Sequence, residues 1–254
     1  MARFDLSDVE WRLIKPLLPN KPRGVARVDD RRVLNGIFYV LRTGSPWRDL
    51  PERYGPYTTV YNRFNRWARA GVWVRVFEAL SAKSPGSMAL IDSSIIRAHQ
   101  HAAGGKKGGQ DHAIGRSRGG LSTKINAVVD ETGLPVRLML TAGQAHDLKA
   151  APELLAGLKC RHVVADRGYD ADALLDLIRA RGAKAHIPST SQRIVHRSVN
   201  RRIYRQRNLV ERFFCKLKHF RRVATRFDKL ARNFLAAVSL ASARLWLRAY
   251  ESTT

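Results

Sequence analysis

The chain has 254 residues, of which 44% are hydrophobic, and its 46 Lys and Arg against 21 Asp and Glu give a formal net charge of +25. The apolar share is enough for one large core or two small ones, and the cationic excess favours a nucleic acid over an anionic membrane surface as partner. No apolar run of about 18 residues can span a bilayer and no signal peptide is visible, which excludes a membrane protein and points to the cytoplasm.

The first 80 or so residues read as helical. Ser7-Asp8-Val9-Glu10 is a capping box, and Val9, Leu13, Ile14 and Leu17 continue the helical period until Pro19. A second helix is predicted over Asp29 to Arg42, with the stripe Val33, Leu34, Ile37, Phe38 and Leu41 and Gly44 as its C-terminal cap. Thr58 or Thr59 can cap a third helix over Val60 to Ala70, and a fourth covers Val72 to Leu80. On the third, Val60, Phe64 and Trp67, with Tyr61, suit a core. Asn62, Arg63, Asn65, Arg66 and Arg69 fall mostly outside it. Asn and Arg read base edges by paired hydrogen bonds, so Asn62, Arg63 and Arg66 are candidate DNA readers of a helix-turn-helix-like domain. A solvated basic face on an ordinary helical bundle explains them equally well.

Ser84-Pro85-Gly86-Ser87 reads as a linker, giving a helical DNA-binding domain over 1–83 and a second domain over 84–254. Beyond it strands alternate with helices. Strands are predicted over Met88 to Ile96, Lys124 to Val129, Val136 to Thr141, His162 to Ala165 and Lys184 to Ile187. Helices are predicted over His146 to Leu158, Asp170 to Ala180, Arg207 to about Arg222 and Asn233 to Tyr250. Residues 102–120 form a glycine-rich basic loop with Lys106, Lys107, Arg116 and Arg118, and 189–200 is irregular. Cys160 and Cys215 stand alone and are expected to be buried thiols.

Between Arg193 and Arg232 there are fourteen Lys or Arg and only two acids, Glu211 and Asp228. A carboxylate facing a phosphate backbone is repelled unless a cation stands between them. Glu211 is therefore either a salt-bridge partner of its Arg neighbours or a metal ligand. At roughly 100° per residue, Val210, Phe213, Phe214 and Leu217 share a core-facing stripe. Tyr204, Arg207, Glu211 and Lys218 form a second stripe beside it. Asp92 lies inside an apolar strand, where a carboxylate is costly unless paired or metal-bound. Asp166 ends a central strand, where open α/β sheets bind ligands, although a turn-forming or capping Asp is as good an account of it alone. Three such carboxylates at one sheet edge can hold two ions of Mg²⁺ or Mn²⁺ and serve phosphodiester chemistry. Tyr169 and Tyr204 offer a competing tyrosine nucleophile, which the carboxylate set disfavours. His99, His101, His112 and His146 lack accompanying cysteines and do not match a structural zinc site.

Tyr204-x2-Arg207-x3-Glu211-x6-Lys218 resembles the Y-R-E-K signature of insertion-sequence transposases of the broad IS-four and IS-five supergroup. The stretches 92–101, 115–124, 141–147 and 165–169, and the N-terminal stretch 41–51, resemble the IS-five family. The resemblance covers essentially the whole chain. It implies an α/β, ribonuclease-H-like mixed sheet flanked by helices, preceded by an all-α helix-turn-helix-like domain that binds terminal inverted repeats. It also implies an Asp-Asp-Glu triad at Asp92, Asp166 and Glu211, with Tyr204, Arg207 and Lys218 contacting DNA near the cleaved end. Ser93 and Asn126 stand where relatives often carry Thr and His. The expected activity is metal-dependent cleavage and strand transfer on element ends and target DNA, by a homodimer associated with the nucleoid. A DNA-binding regulator without catalysis and a nuclease that cuts without joining are the competing expectations.

Overall fold

The computed structural model describes residues 2–20, 27–103 and 112–253. The capping box forms as expected: Ser7 Oγ accepts from the Glu10 amide at 3.0 Å, and Glu10 Oε2 accepts from the Ser7 amide at 2.8 Å. The helix it opens, Asp8–Ile14, is shorter than expected. Pro16 has no amide to continue the ladder, and the chain tightens into a 3₁₀ turn over Lys15–Leu17. Asp29 caps the Asp30–Thr43 helix, and Gly44 ends it at φ 76°, a left-handed conformation that glycine adopts without strain. The next helix, Tyr57–Arg69, starts one residue after Pro56 with no side-chain cap, so neither Thr58 nor Thr59 has that role. Val72–Ser81 follows.

The basic face of Tyr57–Arg69 differs from the expected one at two positions. Arg63 is buried, ion-paired with Asp30, and its guanidinium lies 5.0 Å from the centre of the Trp67 ring. The carboxylate at the start of the preceding helix and the indole face draw it inward, so it is not a free reader of bases. Tyr61 is turned outward instead. Asn62, Arg66 and Arg69 remain exposed.

The molecule divides into two compact units that do not follow the 83/84 boundary. One comprises Met1–Ser81, His99–Lys107 and Leu217–Thr254; the other comprises Ala82–Ala98 and Gly108–Lys216. The C-terminal helix, Ala231–Glu251, thus belongs with the N-terminal helices. It buries Phe234, Val238, Leu240, Trp246 and Leu247 along with several alanines, and a helix so apolar around its circumference needs cover on several sides. Its polar ties show where the cover is: Tyr250 Oη donates to Leu80 O at 2.6 Å, Asn233 Nδ2 to Asn65 Oδ1 at 3.0 Å, and Arg244 meets Glu10.

The second unit is built on a mixed sheet. Its strands are β1 Met88–Ala98, β2 Gly115–Ser117, β3 Gly120–Val129, β4 Pro135–Ala142, β5 His162–Val164 and β6 Lys184–His186. β3 pairs antiparallel with β1, β2 and β4, while β5 runs parallel to both β1 and β6. The basic loop thus becomes a short hairpin through β2, while Lys106 and Lys107 lie outside the described residues. Ala89, Ile91, Val128, Leu154, Val163, Leu174 and Ile178 are among the residues of the core. Two helices supply part of it, Ala151–Leu155 and Asp172–Ala180. The first is much shorter than predicted, because Pro152 is tolerated only in its opening turn and the chain before it is a 3₁₀ turn, Asp147–Lys149.

The Glu211 segment is helical in pieces: a turn over Arg201–Tyr204, a 3₁₀ turn over Arg205–Arg207, then the helix Asn208–Lys218. Val210, Phe213, Phe214 and Leu217 are all buried, as their spacing requires. Cys215 falls off that stripe and is exposed, and Cys160 is only half-buried, so the expectation of two buried thiols fails. Among the described residues no helix is long and apolar enough to cross a membrane.

Candidate active site

The parallel register brings the two aspartates level. The last pair between β1 and β5 is Leu90 with Val164, and Asp92 and Asp166 each come two residues later on their own strands. Asp92 Oδ1 accepts from the Ser93 amide at 2.8 Å, and its Oδ2 stands 3.4 Å from Arg207 Nη1. Asp166 caps the 3₁₀ turn Arg167–Tyr169, with Oδ1 accepting from the Gly168 amide at 2.8 Å. The turn-forming account of Asp166 thus holds for one oxygen. Glu211 is exposed, and its Oε1 accepts from Arg207 Nη2 at 2.5 Å.

Arg207 therefore touches two of the three acids. The salt-bridge account of Glu211 is present in the structure, but the same guanidinium also reaches across the sheet edge to Asp92. Burial pushes the Asp92 carboxyl above its ordinary range. The Ser93 amide and Arg207 oppose the shift, and the nearby Asp166 and Glu211 add to it. Asp92 thus carries its charge against its surroundings. Three carboxylates are a hard oxygen donor set, the kind that suits Mg²⁺ or Mn²⁺. As the side chains stand, no three His, Cys, Asp or Glu among the described residues are grouped to hold one ion.

A second cluster adjoins Asp92 that sequence reasoning did not single out. Asp147 Oδ1 accepts from Ser93 Oγ at 2.7 Å and from Lys124 Nζ at 2.7 Å, and Lys124 Nζ also donates to Ala145 O at 2.7 Å. Lys124 is only 7% exposed. The signal was available: a lysine heading the uncharged and mostly apolar run Ile125-Asn126-Ala127-Val128-Val129 must find a buried anion. Tyr169 is buried, and its phenol holds its proton well above the ordinary range, mainly through burial and then through Asp147, Asp92 and Asp166. A phenol so held is a poor nucleophile. Tyr204 is half-buried, while Lys218 is exposed at the end of the Glu211 helix.

Residues 83–246 match the family described as "Transposase DDE domain", and residues 6–77 match "Putative transposase of IS4/5 family (DUF4096)". The chain belongs to the insertion-sequence DDE transposases. Among curated relatives, a "Putative transposase for insertion sequence element IS6501" from Brucella ovis is 42% identical over 130 residues, 50% of this chain and 100% of that protein. An "Insertion element IS402 uncharacterized 16.2 kDa protein" from Burkholderia cepacia is 42% identical over 130 residues, 46% of this chain and 86% of that protein. The cryo-EM structure of the piggyBac transposase synaptic complex with hairpin DNA is similar at a TM-score of 0.51. The similarity covers 98% of this chain and 74% of that one at 12% identity, so it bears on the fold alone. The mixed sheet with flanking helices is the ribonuclease-H-like fold of a DDE transposase. The expectation of fold and family is met, and the transposase assignment carries the coarse activity with it: this is a DNA transposase.

Proposed function

We propose that the chain binds the terminal inverted repeats of its insertion sequence and catalyses divalent-metal-dependent strand cleavage and strand transfer there. The observation that carries this reading is the shared charge network of Asp92, Asp166, Glu211 and Arg207 at one sheet edge. Asp92, Asp166 and Glu211 are the proposed catalytic and metal-holding residues, for two ions of Mg²⁺ or Mn²⁺. Such ions, when bound, activate the attacking oxygen and stabilise the leaving one.

The chain's own residues do the rest. Asp92 and Glu211 now share Arg207, and a cation at the edge would take over that compensation. The Arg207 guanidinium would then be available to a phosphate, for which its fork geometry is suited. Tyr204 and Lys218 share its stripe and are proposed to contact DNA near the cleaved end. Asn62 and Arg66 are the proposed contacts of the N-terminal helices. In the first step water attacks a phosphodiester at the element end and frees a 3′ hydroxyl. In the second that hydroxyl attacks target DNA, one phosphodiester forming as another breaks. No covalent protein–DNA intermediate enters, in keeping with the burial of Tyr169. We place the working protein at the nucleoid, as a dimer bridging two ends.

The test is purified protein with Mg²⁺, the element's own end DNA and a target plasmid. Asp92→Ala, Asp166→Ala and Glu211→Ala are each expected to lower joined product by at least ~10³-fold while end binding persists. Normal joining by Glu211→Ala would remove it from the triad. Hydrolysis without joined product would favour the nuclease reading.

A further inference from the structure

Asp92 stands beyond the point at which β5 stops pairing with β1. Its strand is tied at the next residue by a side chain from elsewhere. Ser93 Oγ donates to Asp147 Oδ1 at 2.7 Å, while the Ser93 amide donates to Asp92 Oδ1 at 2.8 Å. One residue thus grips a fixed carboxylate with its hydroxyl and the proposed catalytic carboxylate with its amide. Asp147 is fixed in turn: Lys124 Nζ binds the same oxygen at 2.7 Å and is itself tied to Ala145 O. Lys124 sits on β3, opposite Ile95 in the β1 register, so the anchor is the sheet and not a loop. Tyr169 is buried nearby, its phenol holding its proton through burial first and then through Asp147, Asp92 and Asp166.

We infer that Asp147, held by Lys124, is a positioning residue for DNA cleavage, acting through Ser93 to fix the orientation of the Asp92 carboxylate. The inference rests on the reading of Asp92 as a metal-holding residue. A group that orients such a carboxylate without touching DNA alters the rate and leaves end binding alone. Outer partners of metal ligands typically change activity by about 10–100-fold.

The bare deletion is a poor test, because Asp147→Ala strands a buried lysine. Three other variants avoid that. Ser93→Ala should cut the single-turnover cleavage rate by about 10–100-fold, with unchanged affinity for end DNA and an unchanged melting temperature. In the metal-free protein it should also speed amide hydrogen exchange at residues 92–94. Ser93→Thr keeps the hydroxyl and should restore both. The paired change Lys124→Met with Asp147→Leu should keep the wild-type melting temperature yet show the slow cleavage and fast exchange of Ser93→Ala, and adding Ser93→Ala to it should cost nothing further. A wild-type rate in Ser93→Ala, or in the Lys124→Met/Asp147→Leu protein, would overturn the inference and leave a purely structural ion pair. Undiminished cleavage by Asp92→Asn would instead remove the reading of the site on which the inference rests.

Discussion

Arg244→Met will lower stability by about 3–5 kcal/mol, the cost of removing one partner of a buried ion pair, and the melting temperature by about 10 °C. Glu10 and Arg244 are 2% and 4% exposed, and Arg244 Nε lies 2.6 Å from Glu10 Oε1. That approach is not aligned as a hydrogen bond, so its value is mainly Coulombic. The guanidinium makes better-formed bonds to the carbonyl of Asp5 at 2.7 Å and, more weakly, to that of Phe4 at 3.4 Å, and it lies 4.7 Å from the centre of the Phe38 ring. Burial lowers its proton affinity and Glu10 opposes the fall. Methionine fills the space but takes from Glu10 its nearer cation, leaving it Arg248 at 3.9 Å. Adding Glu10→Gln should recover much of the loss, since Gln can still accept from the Ser7 amide in the capping box. Thermal denaturation of the two proteins checks both signs. A wild-type melting temperature for Arg244→Met alone would show that the pair does not hold the C-terminal helix to the N-terminal one.

Asp92→Asn will abolish cleavage without lowering stability. The Asp92 carboxyl is raised above its ordinary value, chiefly by burial, so its ionised form is worse off in the folded chain than in the unfolded one. Below the unfolded value of about 3.9 both proteins carry a neutral group and should melt alike. As pH rises past it, the wild type bears a penalty that the amide does not. The variant should therefore match or exceed the wild type at neutral pH, by up to ~4 °C. Among the described residues, the weak contact with Arg207 at 3.4 Å is the one ion pair lost. A melting curve at pH 3 and at pH 7 reads the difference, and a variant that melts well below the wild type at neutral pH would mean that Asp92 is held for stability. Such opposition of stability and activity is common where charge is kept against its environment for a reaction.

Much of this was legible in the sequence for local reasons. The capping box at Ser7, the Gly44 stop and the stripe Val210, Phe213, Phe214 and Leu217 depend on neighbours within a turn or two, and each appears as read. The errors share a cause. Arg63 was read as exposed because its partner, Asp30, lies on another helix. The packing of the Ala231–Glu251 helix with the N-terminal helices is not legible locally, because nothing near it in sequence says that Arg244 meets Glu10. Helix ends slipped where Pro16 and Pro152 act on the hydrogen-bond ladder. At the site, Asp92, Asp166 and Glu211 could be proposed as separate strand-end and helix-face acids. The Ser93–Asp147–Lys124 link could not, since it joins three segments and only the buried lysine hinted at it.

Metal held by Asp92, Asp166 and Glu211 is proposed to act on the scissile phosphate. The direct measurement is single-turnover cleavage of end DNA bearing a phosphorothioate at the cleaved position, in Mg²⁺ and in Mn²⁺. Sulfur is a poor ligand for Mg²⁺ and a better one for Mn²⁺. One sulfur diastereomer should be cut slowly in Mg²⁺ and recover in Mn²⁺, with no recovery in Asp92→Asn or Glu211→Gln. Cleavage that persists in a chelator, or a protein covalently joined to the DNA end, would contradict it.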